Sequence, residues 1–142
     1  MSCLFCGIVR KEVNASIVFE DKISLVFLDH RPLFPGHCLV VPKTHFETLN
    51  DLPAELIGPL FTNVQLLTKA VELALEAEGS FVAMNNRVSQ SVPHLHVHVV
   101  PRRRKDGLKG FFWPRNKYES TAHLGEVQKS IRAAIAVIQK HS

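Results

Sequence analysis

The chain has 142 residues, the size of one ordinary domain, and at 46% hydrophobic and 21% charged it can fill a core while staying soluble. No apolar run reaches membrane-spanning length, the start "MSCLFCGIVRKEV" lacks the parts of a signal peptide, and three cysteines make a disulfide scaffold a poor reading. The expectation is a cytoplasmic protein in a reducing compartment with no membrane partner, whose net charge of +4 suits an anionic ligand such as a phosphate ester.

"IVFE" (17–20) and "ISLVFLD" (23–29) read as two strands joined by a tight turn at "DK". A loop with two prolines and a glycine, "HRPLFPG" (30–36), leads to a third strand, "HCLVVP" (37–42). Cys38, inside that apolar run, reads as a buried small residue. Residues 50–79 show helical spacing, with Leu56, Leu60, Val64, Leu67, Val71 and Leu75 at steps of three and four. Asp51 is the expected N-cap, Pro53 falls in the first turn, Gly79 lies past the end, and Pro59 predicts a bend or a restart.

"SFVAMN" (80–85) is a fourth strand and "PHLHVHVVP" (93–101) a fifth. A long loop covers 102–119. It opens on the basic run Arg102, Arg103, Arg104 and Lys105, which is either a solvated loop or an electrostatic lure for a polyanion. The same loop carries "GFFWPR". A second helix closes the chain, with Leu124, Val127, Ile131, Ile135 and Ile138 as its apolar stripe. Strands, helix, strands, helix predict an α+β domain spanning 1–142, with about five mainly antiparallel strands and two main helices.

The fifth strand carries the chemistry. Alternation would place His94, His96 and His98 on one face, spaced by roughly 7 Å, and Leu95, Val97 and Val99 on the other. Packing explains this badly, because each imidazole has two polar nitrogens to satisfy. Two uses remain open. One is a metal site built on His-x-His. The other is nucleophilic catalysis at phosphorus, in which a neutral ring held in one tautomer attacks and a neighbouring ring donates a proton.

"HLHVHVV" resembles the signature of the histidine triad (HIT) family. "FLDHRPLFPGHCLVVPKTH" (27–45) is similar to that family's upstream block, "SQSVPHLHVH" to the lead-in to its triad, and "CLFCGIV" to the N-terminus of bacterial members. The resemblance covers about residues 3 to 115. It implies a HIT-like fold and attack on the α-phosphorus of a nucleotide, giving a nucleotidyl-histidine that is passed to water. The implied roles are His96 as nucleophile, His98 at the phosphate and leaving group, and His37 behind the triad as orienter, with His94 beside His96. Gln90, Ser91 and Asn85 would meet phosphate or leaving-group oxygens, Asp29 the ribose hydroxyls, and Phe19 and Phe27 the base.

Family members with the C-x-x-C start also imply a structural zinc. Here its ligands would be Cys3, Cys6, His45 and His94, and no organic cofactor is implied. One segment departs from the family pattern. "NNRVSQ" is shorter by roughly two residues and has Ser89 where a glycine precedes Gln90, which changes the leaving-group side.

The implied substrates are nucleoside phosphoramidates or dinucleoside polyphosphates, that is, a purine nucleotide or its conjugate. Water or phosphate could be the acceptor. Two rival classes stand beside the enzyme: a purine-nucleotide-binding regulator with incidental hydrolysis, and an aprataxin-like deadenylase of nucleic-acid ends. The second normally carries an added zinc finger for which this chain has no room. A homodimer is expected, with Phe111, Phe112 and Trp113 at or near the interface. His30, His123 and His141 read as surface residues without a role.

Overall fold

The computed structural model describes residues 2–109 and 115–141. The chain gathers into two compact units, residues 1–106 and 107–142. Phe111, Phe112 and Trp113, expected at a dimer interface, lie outside the described residues.

The first unit is built on one five-stranded sheet of order β1-β2-β3-β5-β4, antiparallel at every pairing. Its strands are β1 (Ile17–Glu20), β2 (Ser24–Leu28), β3 (Cys38–Pro42), β4 (Gly79–Ala83) and β5 (Val97–Arg102). The turn between β1 and β2 is set by Asp21, whose Oδ1 accepts from the backbone N–H groups of Ile23 and Ser24 at 2.9 and 2.8 Å.

Both faces of the central strands are covered, which is why β2 and β3 read as continuous apolar runs rather than alternating ones. Val26, Cys38, Val40, Val97 and Val99 pack with Leu60, Val64, Leu67 and Val71 of the long helix α2 (Ala54–Leu75). Leu25, Phe27, Leu39 and Val41 point the other way and pack with Phe5 and Ile8. Those two belong to a short helix that the sequence pattern did not predict, α1 (Leu4–Val9).

Several boundaries differ from expectation. Asp51 does not cap α2. Its carboxylate instead accepts from the backbone N–H and hydroxyl of Thr48 at 3.0 and 2.8 Å, closing a capping box around the 3₁₀ turn Leu49–Asp51. Pro53 is the N-cap residue of α2. The helix runs through Pro59 without a restart, since a proline so near the N-terminus removes only one intrahelical donor. It ends at Leu75, with Glu76 in the left-handed region (φ 52°), and Gly79 already opens β4.

Gly36 is required before β3. Its φ is +100°, and a Cβ there would strike Leu75. The three arginines of the basic run at the end of β5 are engaged: Arg102 with Asp106 at 2.6 Å, Arg104 with Glu78 at 2.6 Å, and Arg103 donating to the carbonyl of Leu75. Among the described residues no helix is long and apolar enough to cross a membrane.

The second unit holds α3 (Thr121–Lys140). The Ser120 hydroxyl accepts from the His123 N–H at 3.0 Å and caps it. None of its described residues is buried.

Candidate active site and metal centre

The triad does not lie wholly on a strand. Pairing of β5 begins at Val97, opposite Val40, so only His98 of the three histidines belongs to the ladder. The preceding residues are extended but anchored elsewhere, with Leu95 N–H donating to the carbonyl of Phe46 at 2.7 Å. The alternation survives this change. Leu95, Val97 and Val99 are fully buried in the α2 core, and the histidines take other neighbours.

His96 and His98 line a cleft of about 810 Å³, their rings 5.0 Å apart between centroids. One wall is apolar: Phe5 and Ile8 of α1 with Ala15, Phe27, Leu39 and Val92. Asp29, His30 and Ser91 supply polar lining. His30, read from sequence as surface without a role, therefore stands on the cleft beside Asp29. Phe27 lines the cleft, whereas Phe19 packs against the α2 core cluster.

The hydrogen bonds assign the protons. His96 Nδ1 lies 2.8 Å from the carbonyl of His94, an acceptor only, so Nδ1 carries a hydrogen and, in the neutral ring, the lone pair is on Nε2. The ring is 4% exposed, with Phe5 edge-on at 5.1 Å. Nε2 of His37 and Nδ1 of His98 share a hydrogen bond of 2.9 Å. Burial, then His96 and His37, push the pKa of His98 down to about 4 against the opposing pull of Asp29, so this ring is neutral at pH 7. Burial also lowers His37, again against Asp29.

The shortened loop has its polar side chains bonded to itself and to the segment Glu47–Leu49. Gln90 Nε2 donates to the carbonyl of Glu47 at 2.6 Å, and its Oε1 accepts from the N–H of Arg87 at 2.8 Å. Asn85 donates to the carbonyl of Ser89 at 3.1 Å, and Asn86 accepts from the N–H of Leu49 at 2.8 Å. Of the residues expected at the leaving-group side, Ser91 lines the cleft, while Gln90 is bonded to Glu47 and Arg87 and Asn85 to Ser89.

A second constellation sits next to the first. Donor atoms of Cys3, Cys6, His45 and His94 all lie within 4.8 Å of one another. His94 Nδ1 is 3.5 Å from both sulfurs and 3.1 Å from His45 Nδ1, and Cys6 Sγ is 3.3 Å from His45 Nδ1. Tetrahedral zinc with ordinary bond lengths sets its ligands roughly 3.3–3.8 Å apart, and these spacings come close to that, the His45–His94 pair at 3.1 Å being the tightest. His94 Nε2 donates to the carbonyl of Pro42 at 2.8 Å, which leaves Nδ1 bare as a ligand must be. Burial lowers the pKa of His94 and keeps it neutral. Burial and the neighbouring Cys3 raise that of Cys6, an effect that a cation between the sulfurs reverses.

Asp29, His37 and His98 form another three-donor cluster. There the backbone N–H of Leu33 donates to His37 Nδ1 at 3.0 Å, so Nε2 bears the proton and points it at His98. A hydrogen occupies the place a cation would need, and His37 and His98 form a hydrogen-bonded pair with Asp29 beside it at 3.7 Å.

Residues 10–105 match the family model of the HIT domain. Adenosine 5'-monophosphoramidase HNT1 of Saccharomyces cerevisiae is 32% identical over 137 residues, covering 94% of this chain and 83% of that protein. Adenylylsulfatase HINT3 of Arabidopsis thaliana is 28% identical over 141 residues, 98% of this chain and 68% of that protein. A zinc-bound histidine triad family protein from Mycobacterium smegmatis superposes with a TM-score of 0.73 at 36% identity, covering 100% of this chain and 99% of that one.

Proposed function

This chain belongs to the histidine triad family, and from that premise we propose that it is a nucleotide hydrolase or nucleotidyl transferase acting at the α-phosphate of a purine nucleotide conjugate. The observation that carries the reading is His96: a ring on the cleft wall whose Nδ1 proton is held by the His94 carbonyl, so that the neutral ring has its lone pair on Nε2. The names of two relatives, a monophosphoramidase and an adenylylsulfatase, support adenosine conjugates as the substrate class.

The nucleoside lies against the apolar wall of Phe5, Ile8 and Phe27, and the Asp29 carboxylate accepts from the ribose hydroxyls. His96 Nε2 attacks the α-phosphorus. The bond to the leaving group breaks and takes its electron pair with it, giving nucleotidyl-His96. His98 donates a hydrogen bond from Nε2 to a phosphate or leaving-group oxygen as charge develops. Water then attacks the same phosphorus, the P–N bond electrons return to Nε2, and the water proton passes to solvent. Phosphate in place of water would make the enzyme a phosphorylase by the same intermediate.

Zinc, in this reading, is held by Cys3, Cys6, His45 and His94 and supplies a structural clamp rather than reaction chemistry. Those residues tie α1, and with it Phe5, to the segment carrying His96.

The test compares wild type with His96→Ala on adenylyl sulfate and an adenosine phosphoramidate. Wild type should yield an acid-labile nucleotidyl adduct. The variant should lose turnover while keeping nucleotide affinity within about tenfold, because the nucleophile acts in the transition state. An active His96→Ala, or a wild type that binds nucleotide and turns over none, rejects the reading.

A further inference from the structure

Leu33 sits in the loop between β2 and β3 with its side chain 52% exposed, where nothing in the residue type points to a role. Its backbone does something specific. The N–H donates to His37 Nδ1 at 3.0 Å. A nitrogen that accepts carries no proton, so neutral His37 is protonated at Nε2. That nitrogen is 2.9 Å from His98 Nδ1, which must therefore accept, and the proton of His98 is left on Nε2. Asp29 Oδ2, at 3.7 Å from His37 Nε2, is beyond hydrogen-bond reach and does not compete.

The loop is shaped to deliver this one amide. Asp29 N–H donates to the carbonyl of His37 at 2.8 Å and His37 N–H to that of Phe34 at 3.0 Å, closing the segment on itself. Arg31 N–H is tied to Asp29 Oδ1 at 2.9 Å. Gly36 supplies the left-handed turn into β3.

We propose that the backbone N–H of Leu33 is a positioning group for the reaction: acting through His37, it sets which nitrogen of His98 carries the proton presented to the phosphate. The proposal rests on the reading of His96 and His98 as the phosphate-facing pair. Without that amide, His37 is free to hold its proton on Nδ1. Its Nε2 then accepts, His98 turns to the Nδ1–H form, and the nitrogen aimed at the phosphate becomes a bare lone pair. One backbone amide decides between attraction and repulsion at an anion.

Long-range proton–nitrogen correlation spectra of zinc-loaded, nitrogen-15-labelled protein read the tautomers directly. Wild type should show His37 and His98 protonated at Nε2 and His96 at Nδ1. Leu33→Pro has no N–H to give, so it should redistribute the His37 and His98 tautomers. Its kcat should fall by roughly tenfold to a hundredfold, with KM within about threefold, the scale of a lost proton-bearing contact. Leu33→Ala keeps the amide and should match wild type in both readouts. A wild-type His98 protonated at Nδ1 overturns the proposal, as does a folded Leu33→Pro with unchanged tautomers and rate. If Leu33→Pro does not fold, the wild-type tautomers decide. Expected tautomers in a wild type that turns over no nucleotide conjugate overturn the functional reading; a reversed tautomer in an active wild type overturns this proposal alone.

Discussion

Phe5→Ala probes α1, the element that joins the core, the cleft and the Cys/His cluster. Phe5 is 5% exposed and stands edge-on to Phe27 at 5.3 Å, His94 at 5.9 Å and His96 at 5.1 Å. Truncating a buried phenylalanine to alanine costs about 3–5 kcal/mol, and the lower end applies here because the ring borders a cleft that water can refill. At about 3 kcal/mol the variant remains folded, given the usual 5–15 kcal/mol of domain stability. Each kcal/mol moves the melting temperature of a domain this size by roughly 3–4 °C, so Tm should fall by about 10 °C. The ring is also cleft wall. Losing its contact with a nucleoside removes roughly 1–1.5 kcal/mol of apolar burial, so KM should rise about tenfold. Thermal melts and steady-state kinetics on one preparation separate the two effects, with Phe5→Leu as the intermediate case. A Tm within about 2 °C of wild type would mean that α1 is not packed against the sheet in this way. A lowered Tm with unchanged KM would remove α1 from the nucleoside wall.

Protein purified without chelators should contain about one zinc per chain, and Cys6→Ser should release it, lower Tm and raise KM through the loosened α1. Full zinc retention in Cys6→Ser excludes the tetrad. Stability should also depend on His98 and His37. His98 titrates at about 4 when folded against an ordinary 6.5, and His37 is shifted the same way. The unfolded chain therefore binds more protons below pH 6.5, so this contribution is fully present above that pH and is lost as pH falls toward about 4. Melts across that window should show the decline, and His98→Asn should flatten part of it; a flat wild-type profile contradicts the shift.

Much of the sheet was legible because strand period and turn residues are local signals. The β1–β2 hairpin, the run into Pro42 and the stripe of α2 all depend on residues close in sequence. The misses are places where the pattern is too short to show or where another contact outcompetes it. Six residues of α1 are too few to show a helical period, and only the spacing of Phe5 and Ile8 between and beyond two cysteines hints at it. Asp51 lost the α2 cap because Thr48, three residues back, offered a closed box of its own. His94 and His96 fall outside the ladder because the carbonyl of Phe46 takes the N–H of Leu95 before β5 begins.

The proton positions form a separate class of miss. The histidine pattern shows where imidazoles stand, but each ring's tautomer is set by a main-chain group: the carbonyl of Pro42 for His94, the carbonyl of His94 for His96, and the N–H of Leu33 for His37. Main-chain groups are the same in every residue but proline, so no side-chain motif reveals them. Side chains at such positions are free to vary so long as the backbone path holds, and the exposed side chain of Leu33 is one of these. The residues that do matter there shape the path instead. Gly36 must be glycine, and the turn it permits is what brings His37 to the Leu33 amide on one side and His98 on the other.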